Sequence, residues 1–86
     1  MGKVRFVLTK HAETVMDARE IRPAWVERTL ANPEDIVPDR VDPDLKHALR
    51  RIPEYDDRIL RVVYNETSEP WRVVTVFFDR TMRGKL

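Results

Sequence analysis

Cysteine is absent from the 86 residues. Disulfides, thiolate metal sites and cysteine nucleophiles are therefore excluded, which suits a cytoplasmic protein. Glycine occurs only twice, as Gly2 and Gly84, so no glycine-rich phosphate loop can form. G-x-S-x-G and H-E-x-x-H are missing as well, and with them the serine-hydrolase and zincin readings. No apolar run approaches the roughly 20 residues of a membrane helix. The start, MGKVRFVL, lacks the apolar region and cleavage site of a secretory leader, and Gly2 is not followed by the spacing of a lipidation signal. The expectation is a cytoplasmic protein with no membrane partner and no cofactor.

An excess of one charge is missing too. Sixteen basic and 15 acidic side chains leave a net charge of +1, so there is no strongly basic field over the whole chain for nucleic acid. The distribution is uneven. Residues 1–32 carry +2, residues 33–57 carry −4 and residues 58–86 carry +3. A basic patch built from the two ends is compatible with this, as is a solvated surface rich in ion pairs. The length predicts a single domain, 1–86, with one modest core.

In VRFVLT (4–9), Val4, Phe6 and Leu8 alternate as in a short strand. Thr9 can cap a helix over 10–20, where Ala12, Val15, Met16 and Arg19 follow the spacing of one helical face. At 3.6 residues per turn, Ala12 and Arg19 lie about 20° apart. Arg19 is thus placed inside the apolar stripe, with His11 on its edge. Pro23 opens a second helix that buries Trp25, Val26, Thr29 and Leu30 and stops at Asn32 and Pro33. Pro38 and Pro43 forbid a long helix after it, and Asp42–Pro43–Asp44 reads as a turn. LKHALRRI (45–52) fits helix or strand, and the following Pro53 and PEYDD turn favour strand. RILRVVYN (58–65) and WRVVTVFF (71–78) are strands by β-branched and aromatic content, the latter expected at the centre of the sheet. The predicted order is a strand, two helices, then three or four strands in an antiparallel meander with the helices on one face. The fold class is α+β.

The chemistry rests on two histidines and several arginines. His11, in the first turn of a helix, is a candidate acid/base or a partly exposed cap. His47, among Lys46, Arg50 and Arg51, is a second acid/base candidate or a surface strand position. Two histidines offer too few ligands for zinc, and the carboxylates at 34, 35, 39, 42 and 44 do not match an EF-hand. No metal is expected. On the strand after Arg58, Arg61 shares a face with Ile59 and Val63. Simple alternation puts Val73, Thr75, Phe77 and Asp79 on one face of the last strand. Arg61 and Thr75 could then form a phosphate cradle, because a guanidinium binds phosphate bidentately and stays charged. The plainer reading pairs Arg61 with Asp79 across the strands. Arg19 could likewise be a buried ion pair with Asp79 or Glu20. Trp25 and Trp71 fit packing better than base stacking.

His11–Ala–Glu–Thr–Val–Met16–Asp–Ala–Arg19–Glu–Ile21, then Pro23-x-Trp-Val and Pro33, resembles the N-terminal signature of a small bacterial domain family of unknown function. That family shows His-Ala, then Arg-Met, then Arg-Gly-Ile before a second helix. Residues 58–65 and 73–80 resemble its strand signatures. Val15 stands where the family often has Arg, which removes a cation, and Glu20 where it often has Gly. The resemblance implies a RelE-like fold, with two N-terminal helices packed on a mainly antiparallel three- to four-stranded sheet. It implies a toxin-like, metal-independent endoribonuclease or RNA-binding protein, with RNA and an antitoxin protein as partners. In this reading His11, His47, Arg61 and Thr75 are catalytic, and Arg19, Arg58 and Arg80 bind substrate. The alternative is a non-catalytic interaction module on the same scaffold, partnered by another protein or by itself as a homodimer.

Overall fold

Thr9 ends one element and begins the next. Its hydroxyl accepts the Ala12 N–H at 3.1 Å, capping a helix, and donates to the Val74 carbonyl at 3.1 Å, tying that helix to the last strand. The computed structural model describes residues 4–86. Residues 1–3, read above for leader and lipidation signals, lie outside the described residues. The elements run β1 (Phe6–Leu8), α1 (Lys10–Arg19), α2 (Pro23–Ala31), β2 (Asp35–Pro38), β3 (Leu45–Ile52), β4 (Arg58–Asn65) and β5 (Trp71–Phe78). Two 3-10 turns, Pro53–Tyr55 and Arg80–Met82, follow β3 and β5.

The sheet corrects the expected arrangement. It has five strands in the order β1-β5-β4-β3-β2. β1 pairs parallel with β5, while the other pairs are antiparallel. It is therefore a mixed five-stranded sheet, not a mainly antiparallel one of three or four strands. The helices are not an N-terminal pair either, because β1 precedes them. The RelE-like arrangement does not hold. Two physical reasons account for the difference. Parallel pairing needs a long crossover, which everything from α1 to β4 supplies. β2 is short and ends in Pro38, which cannot donate to a ladder and is tolerated on an edge strand. The centre is β4, not β5.

α1 and α2 cover one face of this sheet. Met16, Trp25, Val26 and Leu30 pack against Ala48, Leu60, Val62 and Val76, all at 6% exposure or less. Thr29 is the one buried polar side chain among the described residues, and its hydroxyl donates to the Trp25 carbonyl at 2.8 Å. Val63 pairs with Thr75 but Tyr64 pairs with Val73, so Val74 is an extra residue in β5. That bulge turns both Val73 and Val76 toward the helices. Thr75 and Phe77 keep to the opposite face, so the simple alternation that put Val73 with them is corrected. No helix among the described residues is long and apolar enough to cross a membrane.

Candidate functional site

The open sheet face carries a chain of polar contacts. His47 on β3 and Arg61 on β4 alternate with Ala48, Leu60 and Val62, which face the helices, so both point away from them. Arg61 donates from Nε to Asp79 Oδ2 at 2.8 Å and from Nη1 to His47 Nδ1 at 2.8 Å. A guanidinium is only a donor, so Nδ1 must hold a lone pair. Nε2 then carries the proton and donates to Asp39 Oδ1 at 2.7 Å. His47 is thus a neutral ring with its tautomer set by its neighbours and both nitrogens occupied.

The two carboxylates at the ends of the chain are held ionised. The backbone N–H of Asp42, the His47 ring and the backbone N–H of Val41 pull Asp39 down from 3.8 to about 2. The Thr81 hydroxyl and Arg61 lower Asp79 against the opposing effect of burial. The plainer expectation for Arg61, a cross-strand pair with Asp79, is the contact seen. The register sets Arg61 opposite Phe77 and Thr75 opposite Val63, so Arg61 and Thr75 are not direct cross-strand partners.

A second constellation lies at the edge of the sheet. β1 pairs only with Trp71–Val73, which leaves β5 beyond Val74 without a neighbour on that side. The backbone bond from Asp79 N–H to the Ile59 carbonyl sets the parity of the β4–β5 ladder. By that parity Val76 and Phe78 turn their N–H and C=O groups outward, to the free edge. Beside this edge is a cleft of about 350 Å³ lined by Val15, Arg19, Tyr55, Arg58, Thr75, Phe77, Phe78 and Arg80. It adjoins a hollow of about 310 Å³ that shares Arg58, Phe78 and Arg80 and adds Arg83.

The cleft is cationic because its arginines have no carboxylate partners. Arg28, Arg51, Arg61 and Arg83 are in ion pairs, but among the described residues Arg19, Arg58 and Arg80 are not. Arg58 lies 4.9 Å over the Tyr55 ring, which fixes its plane while leaving its charge unneutralised. The Thr75 hydroxyl has no hydrogen-bond partner among the described residues, unlike that of Thr9, Thr14, Thr29, Thr67 or Thr81.

The predicted site residues therefore divide into three groups. Arg19, Arg58 and Arg80 come together in the cleft, and Thr75 borders it from a strand position whose side chain is on the open face. Arg61 and His47 belong to the polar chain on the open face. His11 stands apart, exposed in the first turn of α1, eight residues and about 12 Å along the helix from Arg19. Since α1 is on the helix side of the sheet and His47 faces the other way, the two rings do not form an acid/base pair. Arg19 is not the buried ion pair considered for it. α1 stops at this residue, and Arg19 is exposed rather than buried with Met16 in the core. Sequence reasoning missed Asp39 as a partner of His47, and missed Tyr55 and Phe77 in the cleft. Only the exposed position of Phe77 beside Thr75 on an alternating strand could have flagged one of them. No cluster of three His, Asp or Glu placed to hold a metal occurs among the described residues.

Residues 8–78 match a family described as a domain of unknown function, DUF4258. Among curated proteins and among solved structures, none matches the chain.

Proposed function

The chain belongs to the DUF4258 family, and from its site geometry we propose that it is an RNA-binding protein that grips the phosphodiester backbone without metal. The observation that carries this reading is the convergence of Arg19, Arg58 and Arg80, none of them ion-paired among the described residues, on one cleft at the free edge of β5. Planar guanidinium forks suit phosphate oxygens, and several of them spread along a cleft suit a polymer of phosphates. The segmental charge supports the same reading, since Arg19 comes from the basic first third of the chain and Arg58 and Arg80 from the basic last third.

Cleavage is the weaker form of the proposal. Transesterification by the ribose 2′-hydroxyl needs a base with a free lone pair near the phosphate. His47 has both nitrogens engaged, and His11 lies a helix length from Arg19. Binding and cleavage of a labelled RNA in EDTA separate the two forms. The expected result is binding at low salt that is lost in the Arg19→Ala/Arg58→Ala/Arg80→Ala variant. Binding that survives all three substitutions would sink the site. Cleavage abolished by His11→Ala would restore the catalytic form.

The free backbone groups of Val76 and Phe78 favour a second reading, a non-catalytic module that adds a partner strand along β5. Concentration-dependent self-association without RNA affinity would support it.

A further inference from the structure

Of the three cleft arginines, Arg58 is on β4 and stacked on Tyr55, and Arg19 closes a ten-residue helix. Arg80 has neither support. It opens the three-residue 3-10 turn Arg80–Met82 and is itself exposed. So short a turn has too few hydrogen bonds to hold a direction unaided. Yet Arg80 lines both the cleft and the adjoining hollow. Asp79 supplies the hold. Its Oδ1 accepts the Thr81 N–H at 2.9 Å and the Thr81 hydroxyl at 2.6 Å, which caps the turn. Its backbone N–H donates to the Ile59 carbonyl at 2.9 Å, and its carbonyl accepts the Met82 N–H at 3.2 Å. Arg80 is thus bracketed by bonds between its two neighbours.

The same carboxylate is fastened to the sheet through its other oxygen. Oδ2 accepts from Arg61 Nε and Nη2, both at 2.8 Å. Arg61 is fixed in turn by His47 Nδ1, and His47 by Asp39, whose Oδ2 accepts the Val41 and Asp42 N–H groups. The side chains of Asp79, Arg61, His47 and Asp39 are all 22% exposed or less. A covered chain of bonds like this is stiff, whereas an exposed ion pair holds little. Pairing with Arg61 uses only Oδ2, and Oδ1 is given to the turn. Resting on the RNA-binding reading above, we propose that Asp79 is a positioning residue. It joins the polar chain of the open face to the turn that carries Arg80, and so holds that guanidinium ready for a backbone phosphate. A cation fixed beforehand loses less freedom on binding than one its ligand must order. An acidic residue beside a polyanion site thereby strengthens binding, the reverse of what its charge alone does.

The test measures the affinity of the whole chain for a labelled single-stranded RNA over a series of salt concentrations. Asp79→Ala is made alone and together with Arg80→Ala. Alone, it should weaken binding and make the salt slope shallower by about 0.7, the share of one phosphate contact, as Arg80→Ala does. In the Arg80→Ala background it should cause no further loss. Tighter binding by Asp79→Ala shows that the carboxylate acts only through its charge and overturns the role. A loss that persists without Arg80 marks a general effect on the fold and overturns it too. Thr81→Pro covers the case of an Asp79→Ala protein that does not fold. It alters no charge, removes the N–H that Asp79 accepts and disfavours helical backbone at Arg80. Thr81 is exposed and outside the sheet, so the protein should stay folded while the slope becomes shallower by the same ~0.7. An unaltered slope in Thr81→Pro overturns the proposal and leaves RNA binding intact. No binding of RNA by the unsubstituted protein overturns the RNA-binding reading itself, and the role of Asp79 with it.

Discussion

Arg61 decides what His47 can do. A histidine on a half-buried strand face is an acid/base candidate by residue type, but the guanidinium against Nδ1 takes its free lone pair. Long-range nitrogen–proton NMR at neutral pH should therefore show His47 protonated at Nε2 and bare at Nδ1. Arg61→Met should lose this fixed tautomer. It should also destabilise the protein by about 2 kcal/mol in urea denaturation, because Asp79 then keeps its charge in a largely covered place without a cation. Asp39 helps to set the acid limit, together with Glu54, which the Arg28 hydrogen bond lowers from 4.5 to about 2. The Asp39 carboxyl titrates near 2 in the folded protein against an ordinary 3.8, so the unfolded chain takes up the proton first. The stabilisation is complete above about pH 4 and is lost as pH falls toward 2. Asp79 and Glu34, also lowered, act in the same direction. Asp39→Asn should flatten the decline of the denaturation midpoint across that window.

At the scale of single elements, local chemistry was largely legible. Thr9 before the Ala12–Met16 stripe, Pro23 at the entrance of α2 and the β-branched runs of β4 and β5 each specify an element without tertiary help. Thr9 does more than cap, since its hydroxyl also reaches Val74. Thr9→Ala should cost about 1–2 kcal/mol, and Thr9→Ser should recover most of it. The end of α1 was less legible. Glu20 adopts φ 56° and ψ 40°, the left-handed region where a β-carbon is strained. That geometry explains why glycine suits this position. Glu20→Gly should stabilise the protein by about 1 kcal/mol, read from the same denaturation curves. β2 was not legible at all. Asp35-Ile-Val-Pro38 is too short, and too close to Pro33 and Pro38, to announce a strand, and only its pairing with β3 makes it one.

For the whole molecule, the field matters more than the net charge. A chain of net +1 can still bind a polyanion where three cations are left unpaired. If three phosphates are neutralised, the logarithm of single-strand affinity should fall with the logarithm of salt at a slope of about −2. The slope should approach zero in the triple arginine variant. A salt-independent affinity would count against the phosphate contacts. The sequence by itself determined the α+β class, both helices and three of the five strands at their full extents. These follow from periodicity, capping and residue chemistry, which act over a few neighbouring residues. Tertiary structure alone decided the parallel seat of β1 on β5, the bulge that separates Thr75 from Val73 and the Asp39–His47–Arg61 contact. Each depends on which distant residues share a register or a face, and short-range patterns carry no information about that.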